Sequence, residues 1–393
     1  MRPVLRALGL LLLVVAGPAL AEPLFSASQD PIAGSRVFGA RGCVKCHAIN
    51  GVGGKIGPDF AKLQRPHSFY DLAAALWNHA PRMADRMRQL GIQRPTLDAR
   101  ETGDLVAFLF TLDYFDPRGN VDAGRRLFGE KRCVVCHQVG GSGGVVGPSL
   151  DSLRQYASPI YLATQMWNHG PQMAEVMRTK KIPRPTFKDS ELRDLIAYIG
   201  SASPVIAQGP LYVLPGRAGR GRTLFAQKRC IECHSAAGQG GTLGPDLAER
   251  STNASLTQFA SAMWNKTPAM LDAMRSRAIP VPQLQPDEMA DIVAYLYSVR
   301  YFAAGGDPKK GVAVANAKGC LSCHALRGER GKPAGDLAAA KNLESPAAIL
   351  AALWDHSFIQ DPRPARAKPP WAEIGADEMA DLVAFLQSLR REP

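Results

Sequence analysis

The chain of 393 residues carries a formal net charge of +12, with 47 Lys and Arg against 35 Asp and Glu. All eight cysteines fall within four Cys-x-x-Cys-His pentapeptides, so none is left for a disulfide framework. The basic residues come without an aromatic platform, which gives no reason for nucleic-acid binding. Beyond the N-terminal 21 residues no apolar run approaches the ~18 needed to span a membrane.

Residues 1–21 read as a secretory signal peptide. Arg2 and Arg6 supply a positive start, Ala7 to Ala16 is mostly Leu, Val and Ala, and Ala19-Leu20-Ala21 is a small-x-small cleavage signal before Glu22. The apolar stretch is short and broken at Gly17-Pro18, although an uncleaved anchor is the alternative. The expected location of the mature chain is the periplasm.

The pentapeptides are Cys43-Val-Lys-Cys46-His47, Cys133-Val-Val-Cys136-His137, Cys230-Ile-Glu-Cys233-His234 and Cys320-Leu-Ser-Cys323-His324. Their first cysteines are spaced 90, 97 and 90 residues apart, a period that belongs to a repeated domain. Two thiols one turn apart can both reach the vinyl groups on one edge of a haem, and the adjacent His then meets the iron from the same side. Zinc would need two further ligands per site, and only four His lie outside the motifs. A redox dithiol needs a βαβ setting, and no strand pattern surrounds these motifs. The expectation is four covalent haem c groups.

Each repeat reads in the same order. A short amphipathic helix leads to the motif, with Gly34 and Phe38, Gly124 and Phe128, Gly221 and Phe225, or Gly311 and Ala315 four residues apart. A glycine-rich loop follows, ending Gly57-Pro58-Asp59, Gly147-Pro148-Ser149, Gly244-Pro245-Asp246 or Ala334-Gly335-Asp336. Next comes a helix carrying Trp77-Asn78-His79, Trp167-Asn168-His169, Trp264-Asn265-Lys266 or Trp354-Asp355-His356. A closing helix contains Asp104 and Phe108, Asp194 and Tyr198, Asp291 and Tyr295, or Asp381 and Phe385, with apolar residues on one stripe. Pro- and Gly-bearing joints at 113–119, 201–210 and 303–308 are too short for flexible tethers. They divide the chain into domains 22–116, 117–207, 208–304 and a divergent 305–393, and neighbouring haems are expected within electron-tunnelling range. Apolar Val205, Ile206, Leu211, Tyr212 and Val213 in the second joint are candidates to pack between the two halves.

With these motifs in place, each unit resembles a class I cytochrome c domain. The resemblance implies an all-α fold of four tandem domains, each a small helical bundle around one covalent haem. It implies that first and last helices cross closely, Gly34 against Phe108, Gly124 against Tyr198, Gly221 against Tyr295 and Gly311 against Phe385. It also implies that the carbonyls of Pro58, Pro148 and Pro245 accept the Nδ1–H of the haem-ligating His and orient it.

A methionine sulfur usually closes the far side of an electron-transfer haem and raises its potential. Six and ten residues past the tryptophan stand Met83 and Met87, Met173 and Met177, or Met270 and Met274. The spacing predicts a short helix opening at Pro81, Pro171 or Pro268, with both sulfurs on one face. The first of each pair, Met83, Met173 and Met270, is favoured, with Met87, Met177 and Met274 as alternatives and core filling expected of the other member. Repeat four departs from this pattern: Gln360 and Pro364 occupy the methionine positions, Ala315 replaces the aromatic, and Gly335 replaces the loop proline. Met379 reads as core. His356 is the nearest candidate ligand, the alternative being a helix-end His bonded to a propionate or solvent. Haem four is then either His/His and low in potential, or open on one side.

Basic clusters precede the motifs at Arg125-Arg126, Lys131-Arg132, Arg220, Arg222, Lys228-Arg229 and Lys309-Lys310. They read as steering for an acidic redox partner or as a solvated helix face. The function expected is periplasmic electron transfer between redox proteins or a membrane electron-transfer complex. The alternative is a haem enzyme in which haem four turns over a small substrate such as a peroxide, nitrogen oxide or sulfur compound.

Overall fold

In the computed structural model, Asp30 starts the first repeat by accepting the N–H groups of Ile32 and Ala33, capping helix α1 (Pro31–Ala40). The residues described are 29–62, 68–112, 119–151, 159–188, 190–202, 216–248, 255–301, 305–328, 332–359 and 371–391. The expected signal peptide, the apolar residues of the second joint and the 361–370 loop of repeat four lie outside them. Repeat one continues with a long helix α2 (Phe69–Gln89) and a closing helix α3 (Ala99–Thr111). Repeat two has α4 (Val121–Glu130), α5 (Pro159–Thr179) and α6 (Glu191–Ala202), and repeat three α7 (Ala218–Gln227), α8 (Leu256–Ser276) and α9 (Pro286–Tyr301). Repeat four has α10 (Pro308–Ala317), the one-turn α11 (Cys320–Cys323), α12 (Pro346–Ile359) and α13 (Ala376–Arg391). The only strands among the described residues are two-residue hairpins after the first three Cys-x-x-Cys-His motifs, so the fold is all-α.

In every repeat the first and last helices cross where glycine leaves no side chain. A Cβ on Gly34, Gly124, Gly221 or Gly311 would lie 1.8–2.1 Å from the carbonyl oxygen of Asp104, Asp194, Asp291 or Asp381, and 2.5–2.8 Å from the Cβ of Phe108, Tyr198, Tyr295 or Phe385. The same four aspartates reach across the crossing, each accepting the backbone N–H of the residue that precedes the first helix. Asp104 takes Asp30 N–H at 2.8 Å, Asp194 takes Asn120, Asp291 takes Arg217 and Asp381 takes Asp307. A basic residue just before each motif then pairs with the first turn of the closing helix: Arg41 with Glu101, Lys131 with Glu191, Lys228 with Glu288 and Lys318 with Glu378. Part of the basic charge read from the sequence is thus spent inside the domains. Lys131, Lys228, Arg220 (with Asp287 and Asp291) and Arg229 (with Glu232) are paired, while Arg126, Arg132, Arg222, Lys309 and Lys310 are exposed.

Docking does not simply follow chain order, because the first repeat meets the last. Repeat one packs on repeat four, and repeat two on repeat three, through their long helices and the segments before the closing helices. The four tryptophans of the Trp-Asn/Asp dipeptides are 4–8% exposed, and each indole N–H finds its acceptor in the partner repeat. Trp77 donates to Ala372 O and Trp354 to Pro95 O; Trp167 donates to Pro282 O and Trp264 to Pro185 O, all at 2.7–2.9 Å. The next residue adds a two-way bond: Asn78 donates to Ile374 O and accepts Ile374 N–H, Asn168 does the same with Leu284, and Asn265 with Phe187. The partner segment also covers the indole, by Arg94 over Trp354 at 4.7 Å, Arg184 over Trp264 at 3.5 Å, and Trp371 stacked on Trp77 at 4.4 Å.

The two pairs meet where Phe110 lies 4.1 Å from Tyr301 and 6.2 Å from Tyr297, ring centroid to centroid. Contacts therefore run from repeat four to one, one to three and three to two. Helix α9, expected to bury one stripe, is buried on every side from Met289 to Val299 because it sits at this junction.

One expectation fails. Pro81, Pro171 and Pro268 open no new helix; α2, α5 and α8 run through them as single 21-residue helices. Each proline withdraws the N–H that the tryptophan carbonyl four residues earlier would accept. In repeat three that Trp264 carbonyl accepts from Arg184 of repeat two at 3.0 Å, so the docked domain repairs the break.

The crossing predicts that Gly124→Ala lowers stability by about 1–3 kcal/mol through overpacking. Gly129→Ala, in the same helix with nothing within 4 Å of its Cβ, should be neutral or mildly stabilising. Thermal unfolding of the two variants checks this; equal melting temperatures would contradict it.

Candidate haem centres

The Cys-x-x-Cys segment is one tight turn in each repeat, entered through a left-handed residue (Gly42, Arg132, Arg229 or Gly319). The turn is closed by the His N–H donating to the first cysteine carbonyl, from His47 to Cys43 at 3.0 Å and equivalently in the other three. It leaves both thiols and the imidazole on one small element. The glycine-rich loop then folds back under the imidazole. A Cβ on Gly57, Gly147 or Gly244 would fall 2.4–2.5 Å from the ring of His47, His137 or His234, so only glycine lets the loop approach so near.

The approach brings a loop carbonyl to each Nδ1. Pro58 O lies 3.2 Å from His47 Nδ1, Pro148 O 2.9 Å from His137, and Pro245 O 3.0 Å from His234. Repeat four keeps this bond without its proline, since Gly335 O lies 3.0 Å from His324 Nδ1. The acceptor is a backbone carbonyl, so the side chain at that position is dispensable. Carboxylates close the loops by accepting their N–H groups: Asp59 from Asn50 and Gly51, Asp246 from Ala237 and Gly238, and Asp336 from Arg327 and Gly328. Where repeat two has Ser149, Asp151 accepts Gly140 N–H instead.

With Nδ1 committed, each of these histidines has Nε2 to offer a metal. Burial pushes the His47 imidazole below its ordinary pKa, and His79 nearby adds to the effect. Burial pushes the Cys133 and Cys230 thiols up to about 11, and those of Cys43 and Cys320 upward. Protonated thiols are poor metal ligands. Among the described residues no group of three or more His, Cys, Asp and Glu is placed to hold a metal ion. Two thiols on one turn, the first of them buried, beside a single oriented imidazole suit attachment of a porphyrin and coordination of its iron, and fall short of the four ligands of a zinc tetrad.

The methionine pairs lie on α2, α5 and α8. Met83, Met87, Met173, Met177, Met270 and Met274 are all half-buried. In repeats two and three both members of each pair pack against the hydrophobic core. His79 and His169 are exposed, their Nδ1 atoms bonded to the carbonyls of Ala75 and Gln165 one turn back. His79 affects His47 electrostatically, and Met83 follows one turn along the same face of α2. In repeat four the His356 ring lies 5.6 Å from that of His324, centroid to centroid. Met379 is fully buried in the core, as its sequence context suggests.

The Trp-Asn dipeptides dock one repeat on another, a role that sequence reading missed although it noted the residues. Their signal is a polar side chain that recurs beside a tryptophan in successive repeats without any ligand role.

The family model for cytochrome c matches residues 32–113, 121–203, 218–300 and 308–390. The chain therefore belongs to the cytochrome c family, as four tandem domains of the kind that carry covalent haem c. Neither the curated proteins nor the solved structures searched contain a match. Among the described residues no helix is long and apolar enough to cross a membrane.

The fourth clamp carries Asp355 where the others carry Asn. Leu97 N–H donates to it, yet its Oδ1 is buried without a partner, in a position where an amide could donate. Burial raises its pKa against the lowering effects of Leu97 N–H and Arg94. A raised carboxyl favours folding below its unfolded value of about 4, and that contribution is lost as pH rises through the folded value. Asp355→Asn should remove this pH dependence and stabilise the protein at pH 7 by about 0.5–1.5 kcal/mol. Denaturation of both proteins across pH 4–8 checks the prediction, and parallel curves would contradict it.

Proposed function

We propose that the chain is exported to the periplasm and carries electrons through four covalent haems, thioether-linked at Cys43 and Cys46, Cys133 and Cys136, Cys230 and Cys233, and Cys320 and Cys323. His47, His137, His234 and His324 ligate the irons. Met83, Met173 and Met270 complete the first three sites, and their sulfur raises those potentials. The observation that carries the reading is the fourfold recurrence of a thiol pair on one turn beside an imidazole held at Nδ1 by a loop carbonyl.

When bound, the haems supply one-electron chemistry. The protein's part is to fix each imidazole, to keep its second nitrogen bonded, and to hold the four sites in one rigid assembly. The domains touch in the order four, one, three, two, which supports electron transfer along that series in preference to chain order. Repeat two exposes the apolar Val145 at 83% and Val146 at 57% as well as the cations Arg126 and Arg132, side chains that suit contact with an acidic redox protein. The donor and acceptor are redox proteins or a membrane electron-transfer complex.

Intact-mass measurement of the mature protein should show four added haem masses, loss of residues 1–21 and no alkylatable thiol. Bound zinc or reactive cysteines would overturn the reading. Met173→His should lower the potential of one haem in a redox titration while Met177→Ala leaves all four in place; the reverse outcome would exchange the two roles. Turnover of a peroxide, nitrogen oxide or sulfur compound, abolished by Cys320→Ser with Cys323→Ser, would favour the enzymatic alternative.

A further inference from the structure

Repeat four presents an arrangement that the other three do not. At the equivalent helix position His79 and His169 are exposed and bonded back into their own helices, and repeat three has Lys266. His356 is half-buried, with its ring tilted 57° to that of His324 at a centroid spacing of 5.6 Å. The residues around it are held by repeat one. Trp354 donates to Pro95 O at 2.9 Å, Asp355 accepts from Leu97 N–H, and Ser357 accepts from Arg94 at 2.6 Å. A helix advances about 100° per residue, so position 356 lies some 200° around from 354. Docking of repeat one on the Trp354 side therefore fixes His356 on the side that faces His324. The chain offers no methionine six or ten residues past Trp354.

From this juxtaposition we infer that His356 is the sixth ligand of haem four, making it a bis-histidine site whose distal ligand is positioned by repeat one. The inference rests on the tetrahaem reading above. Two imidazoles ligating one metal from opposite sides, with nitrogens at about 2.0–2.1 Å, hold their ring centroids about 6.3 Å apart, so the 5.6 Å spacing asks the two rings to part by less than about 1 Å when the iron is between them. Without the potential-raising sulfur, haem four is the lowest in potential of the four and is closed to small ligands. Arg94 is a positioning residue, since it covers Trp354 and holds Ser357 on either side of the ligand.

The test uses the full holoprotein and combines haem count by intact mass, ferric spin state by electron paramagnetic resonance, and a haem-resolved redox titration. Wild type should show four haems, all low-spin, with no carbon monoxide bound to the reduced protein. His356→Ala should turn one haem in four high-spin and open it to carbon monoxide, and added imidazole should restore the low-spin signal. His356→Met, which keeps a ligand and is the better-tolerated variant, should stay low-spin and raise the lowest potential. Four haems that remain low-spin in His356→Ala, or one high-spin haem already in wild type, would overturn the assignment. A wild-type mass with three haems would instead overturn the tetrahaem reading in repeat four.

Discussion

Leaving an indole N–H buried without an acceptor is costly. For Trp77, Trp167, Trp264 and Trp354 the acceptor is a carbonyl of another domain, whereas Trp371, stacked on Trp77, has none among the described residues. The tryptophan and the residue after it dock each long helix onto a backbone segment that can lie almost 300 positions away in the chain, as with Trp77 and Ala372. That requirement makes four beads on a string into two reciprocal pairs. Because the bonds run both ways, repeat one onto four and four onto one, neither member can rotate without breaking its own clamp and its partner's.

The same helices serve two purposes at once. One side of α2 buries Trp77, Ala73, Ala80 and Ala84, while His79 is exposed and close enough to His47 to act on it electrostatically. The prolines fit this arrangement: they break the helix hydrogen bonding at the clamp, and in repeat three the docked Arg184 satisfies the freed carbonyl. Inside each domain, glycine at the helix crossing, the bridging aspartate and the Lys–Glu or Arg–Glu pair are local devices that need no neighbour.

What was legible in the sequence is what local chemistry dictates. The thiol–imidazole turn, the glycine–aromatic crossing and the loop carbonyl all lie within one repeat, so a single period reveals them. Gly335 looked like a loss from sequence because a proline was missing, but the bond needs only a carbonyl. Pro81 looked like a helix start because an interior proline is costly when isolated, and sequence does not show the compensating partner. The pairing of repeats one with four was hidden for a similar reason: hydrogen bonds between segments 259–296 residues apart leave no periodic trace. Asp355 and His356 stood out as departures, and both acquire meaning only once repeat one is seen against them.

The account turns on which repeats embrace, and hydrogen exchange of the Asn78→Ala holoprotein measures this directly. Loss of that amide should speed exchange at Ile374 and Gly375 in repeat four, at the far end of the chain, and leave the Asn168–Leu284 segment of the other pair unchanged. Faster exchange confined to repeat one, or spreading only into repeat two next to it in sequence, would contradict the crossed pairing.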